Sequence, residues 1–231
     1  YGQTSPLDSI LVTNHHVVLS GLAADTIYHY RVHSADAAGN PAVSADQTFT
    51  TLAASAPAFR EAAGQVVMEA EHFDDRITRT AHDWVLATSQ GGYGGSGYVQ
   101  VLPNSGLLIN TGYPATSPEL IFNVIFANTG TYYVWLRGSA ASGNDDSGHA
   151  GLDGTGPGSA DRLRGFSTSW TWKRDTMDGG PATLFIPSPG LHTIHLWMRE
   201  DGLKVDRLLL RKSTSSAAPS GVGPVESPQI P

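Results

Sequence analysis

Apolar and polar positions alternate along much of this chain in short runs, and Gly, Pro, Ser, Asn and Asp fill the gaps between them. That is the period of half-buried β-strands separated by turn chemistry. In residues 1–52 the alternation is clear at His16-Val17-Val18-Leu19, at Ile27-Tyr28-His29-Tyr30-Arg31-Val32 and at Gln47-Thr48-Phe49-Thr50, which predicts three strands. Residues 53–64 carry little periodicity and read as a linker, with Phe59 able to pin it to a neighbour. From 65 to 212 the pattern predicts strands near Val66–Glu71, Tyr98–Leu102, Glu119–Phe126, Gly130–Arg137, Thr183–Ile186, His192–Arg199 and Lys204–Arg211, with no comparable helical stretch. Short strands joined by Gly-rich connections predict an all-β chain whose larger part is a β-sandwich of jelly-roll type. Residues 213–231, rich in Ser, Ala, Pro and Gly, have no core-forming pattern. They read as a linker to a further module or as a detached strand for a neighbour.

Composition narrows the choice of partners. The chain has 231 residues, 40% of them apolar, which is enough to fill the core of one large domain or two ordinary ones. A formal charge of −7 without a Lys/Arg cluster excludes the phosphate-neutralising surface that nucleic acid requires. No cysteine occurs, so disulfides, thiolate nucleophiles and thiolate zinc sites are absent. No signal peptide or membrane-spanning stretch is visible. Tyr1 already lies in a strand-like segment, so any targeting segment is expected upstream. Few lysines and Ser/Ala/Pro-rich linkers favour a secreted or cell-surface protein of bacterial origin.

The stretch Leu22-Ala23-Ala24-Asp25-Thr26-Ile27-Tyr28-His29-Tyr30-Arg31-Val32, then Asp36-Ala37-Ala38-Gly39-Asn40, closing on Phe49-Thr50-Thr51, resembles the second half of a fibronectin type III domain. The resemblance implies that Leu22 and Tyr28 fill a corner of a core. A whole module of this kind has about 100 residues and seven strands, so its first strands are expected before Tyr1 or from another chain. An open sandwich leaves a sheet edge that templates another strand.

The most informative local feature is Val67-Met68-Glu69-Ala70-Glu71 in an apolar opening strand. Residues two apart on a strand share a face, so Glu69 and Glu71 sit side by side and repel unless something cationic lies between them. A hard, oxygen-liganded cation such as calcium would suit them. The chain closes its core with Lys204-Val205-Asp206-Arg207-Leu208-Leu209-Leu210, which makes Asp206 the natural third ligand. The alternative is that both glutamates face solvent and Asp206 pairs with Arg207 or Arg76. An opening Glu-Ala-Glu with a closing Val-Asp-Arg-Leu strand resembles the carbohydrate-binding modules of families 6 and 35 and their malectin-like relatives. Gly94-Gly95-Ser96-Gly97-Tyr98, Gly130-Thr131-Tyr132-Tyr133-Val134-Trp135-Leu136-Arg137 and Pro189-Gly190-Leu191-His192-Thr193-Ile194 match in order, so the resemblance spans residues 65–212. It implies a structural calcium ion at Glu69, Glu71 and Asp206.

Sugar binding needs exposed aromatic faces with polar groups nearby. Trp170-Thr171-Trp172 lies in a polar stretch, and its spacing puts both indoles on one side of an extended segment, unless Trp172 is core. The resemblance implies that Trp170 and Tyr98 sandwich a sugar ring in a loop site. Trp84 and Tyr93 flank the Gly-rich loop Gln90–Gly95 and either shape the same rim or merely turn the chain. Lys204 stands where family 6 modules often have Asn, and a lysine there suits a uronic acid or another anionic glycan. Adjacent same-face acids stand too close to flank a glycosidic bond as catalytic carboxylates do. The expected function is therefore a non-catalytic carbohydrate-binding module of a multimodular polysaccharide-active protein, accessory to a glycoside hydrolase or polysaccharide lyase. The competing expectation is an adhesive surface protein that forms homo-oligomers or filaments by strand exchange through the incomplete fibronectin-like part.

Overall fold

The computed structural model of the chain describes residues 2–6, 10, 17–51, 56–213 and 217–230. These divide into two compact units, with the boundary between Ala56 and Pro57.

Among the described residues the first unit holds four short strands, β1 (Ile27–Tyr30), β2 (His33–Ala35), β3 (Pro41–Val43) and β4 (Gln47–Thr50). They form two separate two-stranded antiparallel sheets, β1 with β4 and β2 with β3. Tyr28 stacks on Phe49 with ring centroids 5.7 Å apart, and its hydroxyl accepts the Ala23 N–H at 2.8 Å. The β2–β3 turn is built by Asp36, whose carboxylate accepts the Ala38 and Asn40 N–H groups, each at 2.9 Å. The strand expected at 16–19 does not form at Val17–Leu19, and His16 lies outside the described residues. All three of these apolar side chains are exposed, so alternation there has no facing layer to bury against.

The second unit is a β-sandwich of two seven-stranded sheets. One runs β13 (Leu163–Arg164), β12 (Ser147–Leu152), β16 (Gly190–Met198), β10 (Glu119–Phe126), β5 (Ala58–Arg60) and β18 (Gln229–Ile230), with β7 (Asp75–Ile77) also on β10. The other runs β14 (Thr171–Lys173), β11 (Gly130–Ser139), β17 (Lys204–Arg211), β9 (Tyr98–Leu102) and β8 (Asp83–Ala87). To this second sheet β15 (Thr183–Ile186) adds on β11, and β6 (Gln65–Glu69) on β17. Alternation drives the packing. On β10 the side chains of Leu120, Phe122, Val124 and Phe126 are buried in the core, while the residues between them are half-buried. Val66, Met68, Tyr132, Val134, Leu136, Leu208 and Leu210 face them from the second sheet.

Two segments differ from the expectation. The stretch read as a linker contains β5, which pairs parallel to β10 and buries Phe59 completely. The stretch read as a linker to a further module or a detached strand for a neighbour returns, at Ser227 to Ile230, to its own sandwich. Ser227 exchanges hydrogen bonds with Val67, its N–H to the Val67 carbonyl at 2.9 Å and its Oγ accepting the Val67 N–H at 3.0 Å, and β18 closes the sheet on β5. Both segments were invisible because they are too short to show a period, and each satisfies backbone groups of an otherwise open edge.

Candidate functional site

The outer face of the second sheet carries a row of cross-strand neighbours. Glu69 on β6 lies opposite Arg207 on β17, Arg207 opposite Arg137 on β11, and Arg137 opposite Trp172 on β14. The pairing register shifts between Arg137 and Gly138, which leaves Asp206 as the extra residue of a bulge. The bulge turns Asp206 toward the same group, and its carboxylate is fully buried. One oxygen accepts Arg137 Nη1 at 2.6 Å and the other accepts the Gly94 N–H at 2.7 Å. Glu69, also buried, holds Arg207 through both oxygens, with Nε at 2.7 Å. Burial pushes the Glu69 carboxyl above its ordinary value; the Arg207 guanidinium opposes this, and the nearby Glu71 and Asp206 charges add to it.

Glu71 does not continue the strand. β6 ends at Glu69 and Glu71 lies in a 3-10 turn, Ala70–His72, yet both carboxyls face the same spot: a Cβ on Gly95 would fall 2.5 Å from Glu71 Oε1 and 3.0 Å from Glu69 Cδ. Glu71 Oε1 accepts the Ser96 and Gly97 N–H groups at 2.8 and 3.0 Å, while its Oε2 is buried without a hydrogen-bond partner. Asp206 and Glu71 thus clamp the Gly-rich loop between β8 and β9 by its N–H groups, and the close approach of Glu71 together with φ +57° at Gly95 makes glycine necessary there. Glu69, Glu71 and Asp206, the three acids expected around calcium, do come together, and arginines stand among them. Two of the three carboxylates are paired with guanidinium groups, and among the described residues no three acidic or histidine side chains group as an ion site. Arg76, the other partner considered for Asp206, pairs with Asp83 instead.

The clamped loop meets the segment before β14. Trp170 is half-buried, donates its indole N–H to the Gly91 carbonyl at 3.0 Å, and lies under the Arg137 guanidinium at 5.5 Å. Tyr98 meets it edge-on, with centroids 5.1 Å apart and planes at 66°, and Tyr93 lies 5.9 Å from Tyr98 on a tilted ring. Lys204 Nζ donates to Gln90 Oε1 at 2.7 Å and sits 5.9 Å above the Tyr98 ring. Gln90 in turn donates to Ser139 Oγ at 3.0 Å and to the Thr168 carbonyl at 3.2 Å. Trp170, Tyr93, Tyr98, Lys204 and Gln90 therefore form one cluster, with Trp170 and Tyr93 presenting partly open aromatic surface.

Three expected ligand contacts are corrected. Tyr98 has no exposed surface and touches Trp170 directly, so no sugar ring fits between the two; it backs the site instead. Trp84 is fully buried and donates to the Pro118 carbonyl at 3.2 Å, which makes it core. Trp172 is 7% exposed, packs with Val67, Trp135 and Leu209, and donates to the Gly221 carbonyl at 3.2 Å beneath residues 221–223. Sequence reasoning missed Arg137 and gave Gln90 no role. Arg137 had a signal, being a charge in an otherwise apolar strand, but its partners come from other strands. A separate hollow of about 290 Å³ beside Trp135 and Arg174 offers no open aromatic platform, because the Arg174 and Arg211 guanidiniums already stack on that indole at 4.8 and 5.0 Å.

A family model described as the glycosyl hydrolase family 115 C-terminal domain matches residues 58–226. The chain belongs to that family. The matched span of this family 115 C-terminal domain opens in β5 and ends in the segment that covers Trp172, within the second unit. A curated relative, the uncharacterized protein P23 of Formosa agariphila, is 27% identical over 198 residues, covering 72% of this chain and 48% of that protein. The chain thus spans about half the length of that relative. Among solved structures it is similar to a family 35 carbohydrate-binding module from Clostridium thermocellum, at 20% identity and a TM-score of 0.44, covering 64% of this chain and 98% of that one. It is also similar to the C-terminal family 6 module of a marine laminarinase from Zobellia galactanivorans, at 14% identity and a TM-score of 0.42, covering 64% and 99% of the two chains. Among the described residues no helix is long and apolar enough to cross a membrane.

Proposed function

We propose that the second unit is a non-catalytic carbohydrate-binding module of a larger extracellular polysaccharide-active protein, and that its glycan site is the loop cluster around Trp170. The observation that carries this reading is the fixed, half-open Trp170 indole. Its N–H is held by Gly91, one edge rests on Tyr98, and Tyr93, Lys204 and Gln90 stand around it. A pyranose packs its C–H face on such a ring while neighbouring polar groups take its hydroxyls. Because the ring is already immobilised, little ordering entropy is lost on binding. Lys204 adds a positive group, which favours a glycan carrying carboxylates. The buried acids Glu69 and Asp206 are engaged by arginines and shape the loop, which supports a binding role over catalysis. A glycan array with neutral and uronic-acid-containing polysaccharides tests the proposal. Trp170→Ala is expected to weaken binding at least about tenfold, roughly 1.4 kcal/mol. A chain that binds no glycan, or a variant that binds as well as the parent, would sink it.

A second reading, self-association through the first unit, is favoured by one observation. Its short sheets leave Ile27, Val32 and Val43 exposed. The Tyr28 hydroxyl bound to the Ala23 N–H supports a fibronectin-like corner in that unit.

A further inference from the structure

We propose that Arg207 and Arg137 are the resident cations of the Glu69–Glu71–Asp206 cluster, and that this unit holds them with its own C-terminal segment instead of with calcium. Each guanidinium is tied on two sides. Arg207 binds Glu69 through Nε and Nη2, and its Nη1 donates to the carbonyls of Val222 and Pro224 at 3.1 and 2.7 Å. Arg137 binds Asp206 through Nη1, donates Nε to the Gly221 carbonyl at 3.0 Å, and donates Nη2 to the Gly92 carbonyl at 2.9 Å. The same segment closes the group from the acidic side, since Glu226 accepts the Glu69 N–H at 2.9 Å and meets His72 Nδ1 at 2.9 Å.

The positions of the charges leave an ion little to bind. A calcium shell takes about six to eight oxygens. Both oxygens of Glu69 and one of Asp206 face guanidinium nitrogens, the other Asp206 oxygen accepts a backbone N–H, and Glu71 Oε1 accepts two more. Only Glu71 Oε2 is unclaimed, and one carboxylate oxygen does not make a shell. Space is closed as well: a Cβ on Gly94 would meet Arg207 Nη2 at 2.5 Å, so the guanidinium already fills the gap between the loop and Glu69. Arginine suits this role because its charge is permanent and its planar fork satisfies a carboxylate and carbonyls together.

Elemental analysis and thermal melting of the full chain, after treatment with excess chelator and after return to millimolar calcium, test the inference. The expected result is no stoichiometric calcium in the purified protein and melts that coincide with and without the ion. Arg207→Met, which keeps the bulk and removes the charge, is expected to lower the melt by on the order of 10 °C, because it strands buried Glu69. One equivalent of bound calcium in the parent chain, a melt that falls in chelator, or an Arg207→Met melt equal to the parent's would overturn it. The chelator comparison stands even where the variant fails to fold, and none of these readouts depends on glycan binding.

Discussion

At the scale of single residues, His149 shows how this sandwich fixes a protonation state. Its ring is buried, stacked on Tyr113 with centroids 3.7 Å apart. Nε2 donates to the Ile109 carbonyl at 2.9 Å, and Nδ1 accepts the Arg162 N–H at 3.1 Å. Those two contacts specify the neutral tautomer, since a carbonyl only accepts and a backbone N–H only donates. Burial, with the Arg199 and Arg162 charges adding to it against the Ile109 hydrogen bond, pushes the imidazole from 6.5 down to about 4. Between those two values the unfolded chain binds a proton that the folded chain refuses, so stability is lost as pH falls through that window. The loss from this group is on the order of 3 kcal/mol. Urea unfolding at pH 7 and pH 4.5 should show it, and the His149 ring resonances should stay neutral at pH 5; a ring that titrates near 6.5 would contradict the assignment. The same scale explains what was hidden at the candidate site. Trp170 was legible as a tryptophan among polar residues. Tyr98 sits at an outward-facing strand position, and only the loops folded over it bury it, a relation that no local pattern contains.

At the scale of elements, the long strands were legible and the short ones were not. Glu119–Phe126 announces itself by alternation and Lys204–Arg211 by its apolar run, and each forms where expected. β5 and β18, with three and two residues, are held by their neighbours' open backbone groups and carry no period of their own. The bulge at Asp206 was illegible for a related reason, because register is a property of two strands. The C-terminal segment is an element of this kind. Gly223 lies against the Trp172 indole with φ +88°, and a Cβ there would fall 2.5 Å from Cζ2. Gly223→Ala combines a clash with a backbone conformation that alanine avoids, so it should cost about 1–3 kcal/mol. The melt is expected to fall by several degrees, on the order of 2–4 °C per kcal/mol. Acrylamide should then quench tryptophan fluorescence more strongly, as Trp172 loses its cover. An unchanged melt and unchanged quenching would show that residues 221–223 do not seal this face.

At the scale of the whole molecule, the two units differ in how well they close their own sheets. The second buries a continuous core between two seven-stranded sheets, and its terminal strands β5 and β18 pair with one another. Among the described residues, the first places every strand in a two-stranded sheet, and isolated two-stranded sheets are marginal in water. Ile27, Val32 and Val43, in or beside those strands, stand 64%, 55% and 54% exposed. Open apolar side chains on such short sheets favour strand addition from another chain, which would cover them. Light scattering over a concentration series should therefore find multimers of the full chain, while a fragment of residues 57–231, which keeps the whole second unit, stays monomeric. Asp and Lys in place of Ile27 and Val43 should shift the full chain toward monomer, because a charge beside an open edge opposes pairing. A full chain that remains monomeric throughout the series would remove self-association, and would leave the glycan site of the second unit untouched.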